Sequence, residues 1–597
     1  MTSSRKIALV ILGILAVIVI VGGLCVGLVV YSIRNNEPTI RDNSVLSLRI
    51  EGDLPDYVPE DITRKLFGQN DQSLTNLLLQ LKKAKVDKRI TAILLEIKMS
   101  GAGWAKADEI RDAIADFRTS GKPIYAYMEY GSNKEYYIAT ACDKIFVAPP
   151  GDLYINGLAA EVMFFRGSLD KLGVYPEVFQ IGKYKNAPDQ FTRKEMSDAH
   201  KEVLNSMLDN LFGRLVETTA KARHKSPDEV KAIIDTAPLH SNEAVNNGMI
   251  DGAKYRDEVE NELKKRLGMK ETDELIVAKS SEYRKVQADS LGLNTGDRIA
   301  IIYASGAIGS GPSSNSPTGG QSVGSDTVVK ALNDARDDKT IKAIILRVDS
   351  PGGSSYASDI VWHAVELAKL KKPVVVSMSD MAASGGYYIS CNANKIIAEP
   401  STLTGSIGIF AGKPVMKDLY NWLGITNQYV MRGKMAGLFR ETEKFTPEEA
   451  AKFEGQIKNT YYNEFVPKVA KGRGKDPEYI DSIGQGHVWM GDQAKANGLV
   501  DELGGLEKAI EVAKQLAKIP AEQSVKRVVL PYPRSFLENL FGYGNEETES
   551  ESRAAQQRVA LSILPEDVRH SLRYAELMDR MRRGEIMAMV PFELRIR

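Results

Sequence analysis

Unbroken apolar runs alternate along the chain with stretches whose apolar positions recur at helical spacing. "AIILRV" (Ala343 to Val348) is one such run. A strand with no polar alternation is buried on both faces, as in a parallel sheet covered by helices. After it, Ile360, Val361, Ala364, Val365 and Ala368 predict a helix from about Ser355 to Leu370. The pair reads as a βαβ unit, and the fold class expected is α/β.

The same pattern occurs twice. "RITAILLEIKMSGAG" (Arg89 to Gly103) resembles "TIKAIILRVDSPGGS" (Thr340 to Ser354), and "GKPIYAYM" (Gly121 to Met128) resembles "KKPVVVSM" (Lys371 to Met378). "EYYIATACDKIFVAPP" (Glu135 to Pro150) matches "GYYISCNANKIIAEPS" (Gly386 to Ser401), and "EAVNNGMID" (Glu243 to Asp251) matches "QAKANGLVD" (Gln493 to Asp501). Aligned glycines give offsets of 352 − 101 = 251 and 498 − 248 = 250. A repeat of this length predicts two related domains. The expected boundaries are 37–290 for the first copy and 291–541 for the second, joined near "KVQADSLGLNTGD" (Lys285 to Asp297), with 542–597 a charged linker and peripheral tail.

Ahead of the first copy, Arg5 and Lys6 precede an uncharged run from Ile7 to Tyr31. A spanning helix needs roughly 20 apolar residues, whereas the apolar part of a cleaved signal is about 7–15. Residues 1–36 are therefore expected to be a cytoplasmic stub and a transmembrane anchor, with the bulk of the chain beyond the cytoplasm. Acidic and basic residues balance at 78 each, which argues against nucleic acid as a partner. Cys25 sits in the apolar run and Cys142 and Cys391 stand singly without metal-ligand spacing, so neither a metal site nor a structural disulfide is expected.

The copies differ where chemistry could reside. Aligning Tyr136–Tyr137 with Tyr387–Tyr388 puts Asn133 opposite Ser384, and Gly385–Gly386 follow the serine alone. Aligning Gly182 with Gly433 puts Lys185 opposite Ala436. Each copy thus keeps half of a serine–lysine pair. A serine hydroxyl needs a base, and lysine serves when burial removes its proton, a push that a nearby cation, Lys183, is expected to reinforce. Oxyanion donors are expected from the backbone N–H groups of Gly352 and Gly353 in "VDSPGGSS" and of Gly385 beside the nucleophile. The chain has six histidines and none lies in these motifs; His363, on the helix after the Gly–Gly turn, reads as a packing or surface residue.

"DSPGGS", "MAASGGYYIS" and "STLTGSIGIF" (Ser401 to Phe410), with "GKYKNA" (Gly182 to Ala187), resemble the signal peptide peptidase A family in its long, duplicated form. That resemblance implies tandem crotonase-like/ClpP-like α/β domains behind one transmembrane helix. It implies a serine endopeptidase of the bacterial inner membrane that degrades released signal peptides on the extracytoplasmic side. By it Ser384 is the nucleophile, Lys185 the general base and Ser406 the residue that orients the lysine; no cofactor is implied, and the assembly is a homotetramer. Two other classes compete. An acyl-CoA hydratase or isomerase of crotonase type would use the same backbone donors but needs an acidic catalytic residue and a nucleotide pocket. A noncatalytic membrane scaffold would leave the reciprocal losses unexplained.

Overall fold

The computed structural model describes residues 38–58, 72–316, 320–531, 580, 584–590 and 595–596. The apolar run Ile7–Tyr31 and the 542–579 stretch lie outside the described residues; within them, no helix is long and apolar enough to cross a membrane.

Two parallel sheets of the same order form the frame. In the first copy, neighbours run Gly252–Ala253, Lys144–Val147, Ile124–Met128, Ile90–Ser100, Ser44–Gly52 and Val277–Lys279. In the second they run Glu502–Leu503, Lys395–Ala398, Val374–Ala383, Ile341–Ser350, Asp297–Ser305 and Val525–Leu530. The apolar runs are continuous because alternate residues feed different cores. Ile344, Leu346 and Val348 pack under the helices on one face, and Ala343 and Ile345 face the helix Leu506–Leu516 on the other. Each such side chain contributes about 1.5–3 kcal/mol on burial.

The expected strand at Ala343–Val348 is Ile341–Ser350, and the helix after it is Ser355–Lys369. Ser354 caps that helix by accepting the Ala357 N–H. Between the copies, Lys285–Asp297 holds one short 3₁₀ turn, Asp289–Leu291.

The copies do not stand apart. Strand Tyr175–Ile181 of the first pairs antiparallel with Ile409–Val415 of the second over a register from Tyr175↔Val415 to Ile181↔Ile409. Buried Arg347 of the second copy reaches Asp56 of the first at 2.7 Å and also contacts Glu109. A buried ion pair costs desolvation, and it fixes relative placement because neither charge can be left alone.

The expected peripheral tail is a correction. Strand Met587–Met589 lies inside a mixed sheet, between Gly352–Ser354 and Ile409–Val415, and is fully buried. Its apolar side chains enter a core with Ala187, Phe191 and Phe410, which outweighs the charged surroundings that suggested a solvated end.

Candidate active site

Ser384 sits where strand Val374–Ala383 gives way to the short helix Gly385–Tyr388. Its backbone takes φ 56° and ψ −110°, a costly conformation for a residue with a Cβ, held by its N–H donating to Gly405 O at 2.7 Å. The serine heads the helix without capping it, so Oγ is not spent on the helix N–H groups. The small residues beside it permit close packing: a Cβ at Gly386 would come 2.8 Å from Ser350 O.

The pairing of Tyr175–Ile181 with the second copy delivers the next turn, and with it Lys185, to this serine. Lys185 Nζ lies 2.7 Å from Ser384 Oγ, 3.1 Å from Ser406 Oγ and 3.2 Å from Ser406 O, all buried. Burial holds the amine well below the ordinary lysine range. A neutral amine has two N–H groups and one lone pair. Ser406 can take both N–H groups, leaving the lone pair to accept the Ser384 hydroxyl proton. Ser406 itself has φ 49°, and its N–H donates to His487 O at 2.7 Å, so its position is fixed from the backbone.

Lys183 does not play the expected part. It is exposed, donates to Tyr184 Oη at 2.9 Å and lies 3.6 Å from Glu202, and these contacts raise its own pKa. Its charge is answered there, and desolvation alone depresses Lys185. The three expected oxyanion glycines also divide. Gly352 donates its N–H to Ser350 Oγ at 3.2 Å and so is not a free donor. Its φ of +100° instead serves close approach: a Cβ there would lie 2.1 Å from the carbonyl oxygen of Ala588 in the tail strand. Gly353, paired with Ala588, and Gly385 flank the same oxygen.

Comparison with known proteins gives the same division in two. Peptidase family S49 matches residues 116–270 and 366–520, and 366 − 116 = 250 reproduces the offset of the repeat. "Serine protease SPPA, chloroplastic" of Arabidopsis thaliana is 36% identical over 84% of this chain and 73% of its own length. "Protease 4" of Salmonella typhi is 36% identical over 81% of this chain and 80% of its own. The chain belongs to peptidase family S49. It is a serine protease with a tandem, duplicated mixed α/β fold. A further relative, from Enterococcus faecium and named for signal peptide peptidase, is 36% identical over 32% of this chain and 55% of its own length.

Within this S49 chain Lys185, Ser406 and Ala383, the neighbour of Ser384, border an apolar cleft lined by Val162, Val203, Leu204, Met207, Met381 and Leu403. His200 borders the cleft, 3.9 Å from Asp189, with burial lowering its pKa. His363 lies exposed on its helix, away from the pair. Cys142 and Cys391 are free and buried, each thiol pushed up to about 12 by desolvation.

One cluster escaped the sequence reading. Lys106 of the first copy lies 2.8 Å from Asp349 and 3.4 Å from Asp380, which precede the glycine turn and the serine respectively. Burial would lower this amine, but Asp349, Asp380 and Asp56 together hold it well above the ordinary range. Its sequence signal was a lysine one turn into a helix, indistinguishable from a solvated one.

Proposed function

We propose that the protein hydrolyses peptide bonds with Ser384 as nucleophile, Lys185 as general base and Ser406 as the residue that orients the amine. The observation that carries this is the 2.7 Å approach of a buried, desolvated amine to the serine hydroxyl. Ser384 Oγ attacks the substrate carbonyl as its proton passes to Lys185 Nζ. The developing oxyanion is held by the N–H groups of Gly353 and Gly385. The ammonium, poorly solvated, returns its proton to the departing amine, and water then releases the acyl group by the same route. No step needs a metal or cofactor.

The substrates proposed are signal peptides after their release from secreted proteins. The apolar cleft suits their hydrophobic segments, and the Enterococcus relative bears that name. An anchor over Ile7–Tyr31 in a bacterial inner membrane, with the catalytic domains on the extracytoplasmic side, would place the cleft where such peptides leave the bilayer. Each copy is read as a crotonase-like/ClpP-like domain, over 37–290 and 291–541.

The assembly proposed is a homotetramer, and the repeat suggests a surface for it. Offset by 250, the inter-copy strand Tyr175–Ile181 corresponds to 425–431 of the second copy. That stretch and its approach expose Trp422 (76%), Ile425 (44%) and Val430 (89%), an edge available to the first copy of a neighbouring chain. Four such contacts would close a ring.

The reading is tested by incubating the purified protein with a synthetic signal peptide and following fragments by mass spectrometry. Cleavage by the parent and none by Ser384→Ala is expected; equal cleavage by both would remove Ser384 from the mechanism.

A further inference from the structure

The long helices of the two copies differ. In the first, Asp198–Arg223 is one unbroken α-helix. In the second, the α-helices Pro447–Asn459 and Val466–Arg473 are joined by a π-helical turn, Thr460–Phe465. Pro467 accounts for it: proline has no N–H for the carbonyl four residues back, and its ring crowds that carbonyl. The first copy has Glu217 there, with 467 − 217 = 250. Such turns inside α-helices are frequent at functional sites.

The turn carries Tyr461, fully buried, where the first copy has Leu211, again 461 − 211 = 250. The Tyr461 hydroxyl donates to Asp481 Oδ1 at 2.8 Å and accepts the Gln485 N–H at 3.2 Å. Gln485 Nε2 donates to the same Asp481 oxygen. Gln485 has φ 50°, whereas its counterpart Asp235, 485 − 235 = 250, has φ −66°. A left-handed residue with a Cβ is strained and persists where its surroundings over-determine it. What this turn touches is the site. Gln485 O accepts the Tyr184 N–H at 2.7 Å, and a Cβ built at Gly486 would lie 2.5 Å from Lys185 N. On its other side Gly486 N–H donates to Ile407 O at 2.6 Å, and His487 O accepts the Ser406 N–H at 2.7 Å. The turn therefore lies between Lys185 and the serine that orients it.

We propose that Tyr461 is a positioning residue for the reaction: its hydroxyl locks Gln485 in the left-handed turn, and that turn sets the Lys185 amine against Ser384 and Ser406. The inference rests on the assignment of Ser384 and Lys185 above. Tyr461 touches none of the reacting atoms and acts through the backbone of 484–487. Burial and the bond to Asp481 keep its phenol protonated, so it adds no charge to the site. Burial alone lowers the Lys185 amine, so a slackened turn that admits water both misplaces the amine and lets it regain its proton.

Tyr461→Phe tests this, read by hydrolysis of a synthetic signal peptide and by the pH dependence of fluorophosphonate labelling at Ser384. Its kcat should fall on the order of 10–100-fold with KM unchanged, and the labelling titration should move up toward the ordinary lysine range. Gln485→Gly in the same chain takes a positive φ without strain and should recover part of both. A variant with the parent's kcat and titration overturns the proposal even if it unfolds at a lower temperature, since that is all a packing role would change. No recovery by Gln485→Gly overturns action through the turn. A parent that is not labelled at Ser384 overturns the underlying assignment and the proposal together.

Discussion

The same turn does opposite work in the two copies. In the second, Ser350–Ser355 opens a helix beside the serine and presents Gly352 and Gly353 to a carbonyl oxygen. In the first, Ser100–Trp104 opens the helix Trp104–Arg118, yet its N–H groups are taken by the other copy: Gly103 and Lys106 donate to the Asp380 carboxylate at 3.0 Å each. A helix start is an anion site, and here the anion is the Asp380 side chain, immediately before Met381–Ala383 and the serine. The opposing residues repeat the lesson. Asn133 Nδ2 donates to Gly157 O at 2.9 Å, while Ser384 Oγ approaches the equivalent Gly408 O at 3.4 Å, with 408 − 157 = 251. Lys185 N–H donates to Gly182 O at 3.1 Å and Ala436 N–H to Gly433 O at 3.3 Å, but Lys185 is buried and Ala436 exposed. Backbone geometry persists in both copies, and reactive groups persist once each. One potential site has become a brace for the other.

Removing the proposed nucleophile breaks this comparison most severely. Ser384→Ala should lose on the order of 10⁴–10⁶-fold in kcat for peptide hydrolysis, with thermal unfolding unchanged. Asn133→Ser should gain no activity, because the first copy's cleft has no lysine opposite. Mixing Ser384→Ala chains with Lys185→Ala chains should restore none, since both groups come from one chain.

Loss of the proposed base comes next. Lys185→Ala should fall by on the order of 10²–10⁴-fold, and Lys185→Arg should not recover, as guanidinium keeps its proton. Stability reads the same amine. Its folded pKa is depressed, so between that value and the unfolded value of about 10.4 the unfolded chain binds more protons, and stability rises with pH. The parent should therefore gain on Lys185→Met in denaturant titrations as pH climbs through that window, by about 1.4 kcal/mol per unit at most. A flat difference would mean that the amine is charged in the fold.

Lys106→Met sharpens the comparison by removing the brace while sparing the pair. It leaves Asp349 and Asp380 without their buried counter-charge and should cost about 3–5 kcal/mol in urea unfolding. Replacing both carboxylates by amides in the same chain should recover much of this. Smallest of all, Lys183→Ala should change kcat/KM by no more than about twofold, the usual scale for an exposed pair.

Much of this was legible in the sequence for physical reasons. Strands such as Ile341–Ser350 declared themselves because burial on two faces forbids polar alternation, and the offset near 250 exposed the tandem plan. Ser384 and Lys185 stood out because each replaced a residue without comparable chemistry in the other copy. What stayed hidden depends on direction and distance. That Gly352 spends its N–H on Ser350 Oγ follows from its φ of +100°, which no residue name reveals. Lys183 and Lys106 look alike in sequence; one meets Glu202 at the surface, the other two buried aspartates. Met587–Met589 is too short an apolar stretch to suggest a strand, and its partner at Gly352 is 589 − 352 = 237 residues away.

The central claim is that an amine from the first copy activates a serine of the second, and the rate of covalent capture of that serine measures it directly. A fluorophosphonate probe should label Ser384, identified by peptide mapping. Its rate should rise with pH along one titration lying well below the ordinary lysine range, and Lys185→Ala should lose both the rate and the titration. Labelling of another residue, or an unchanged pH profile in Lys185→Ala, would contradict the account.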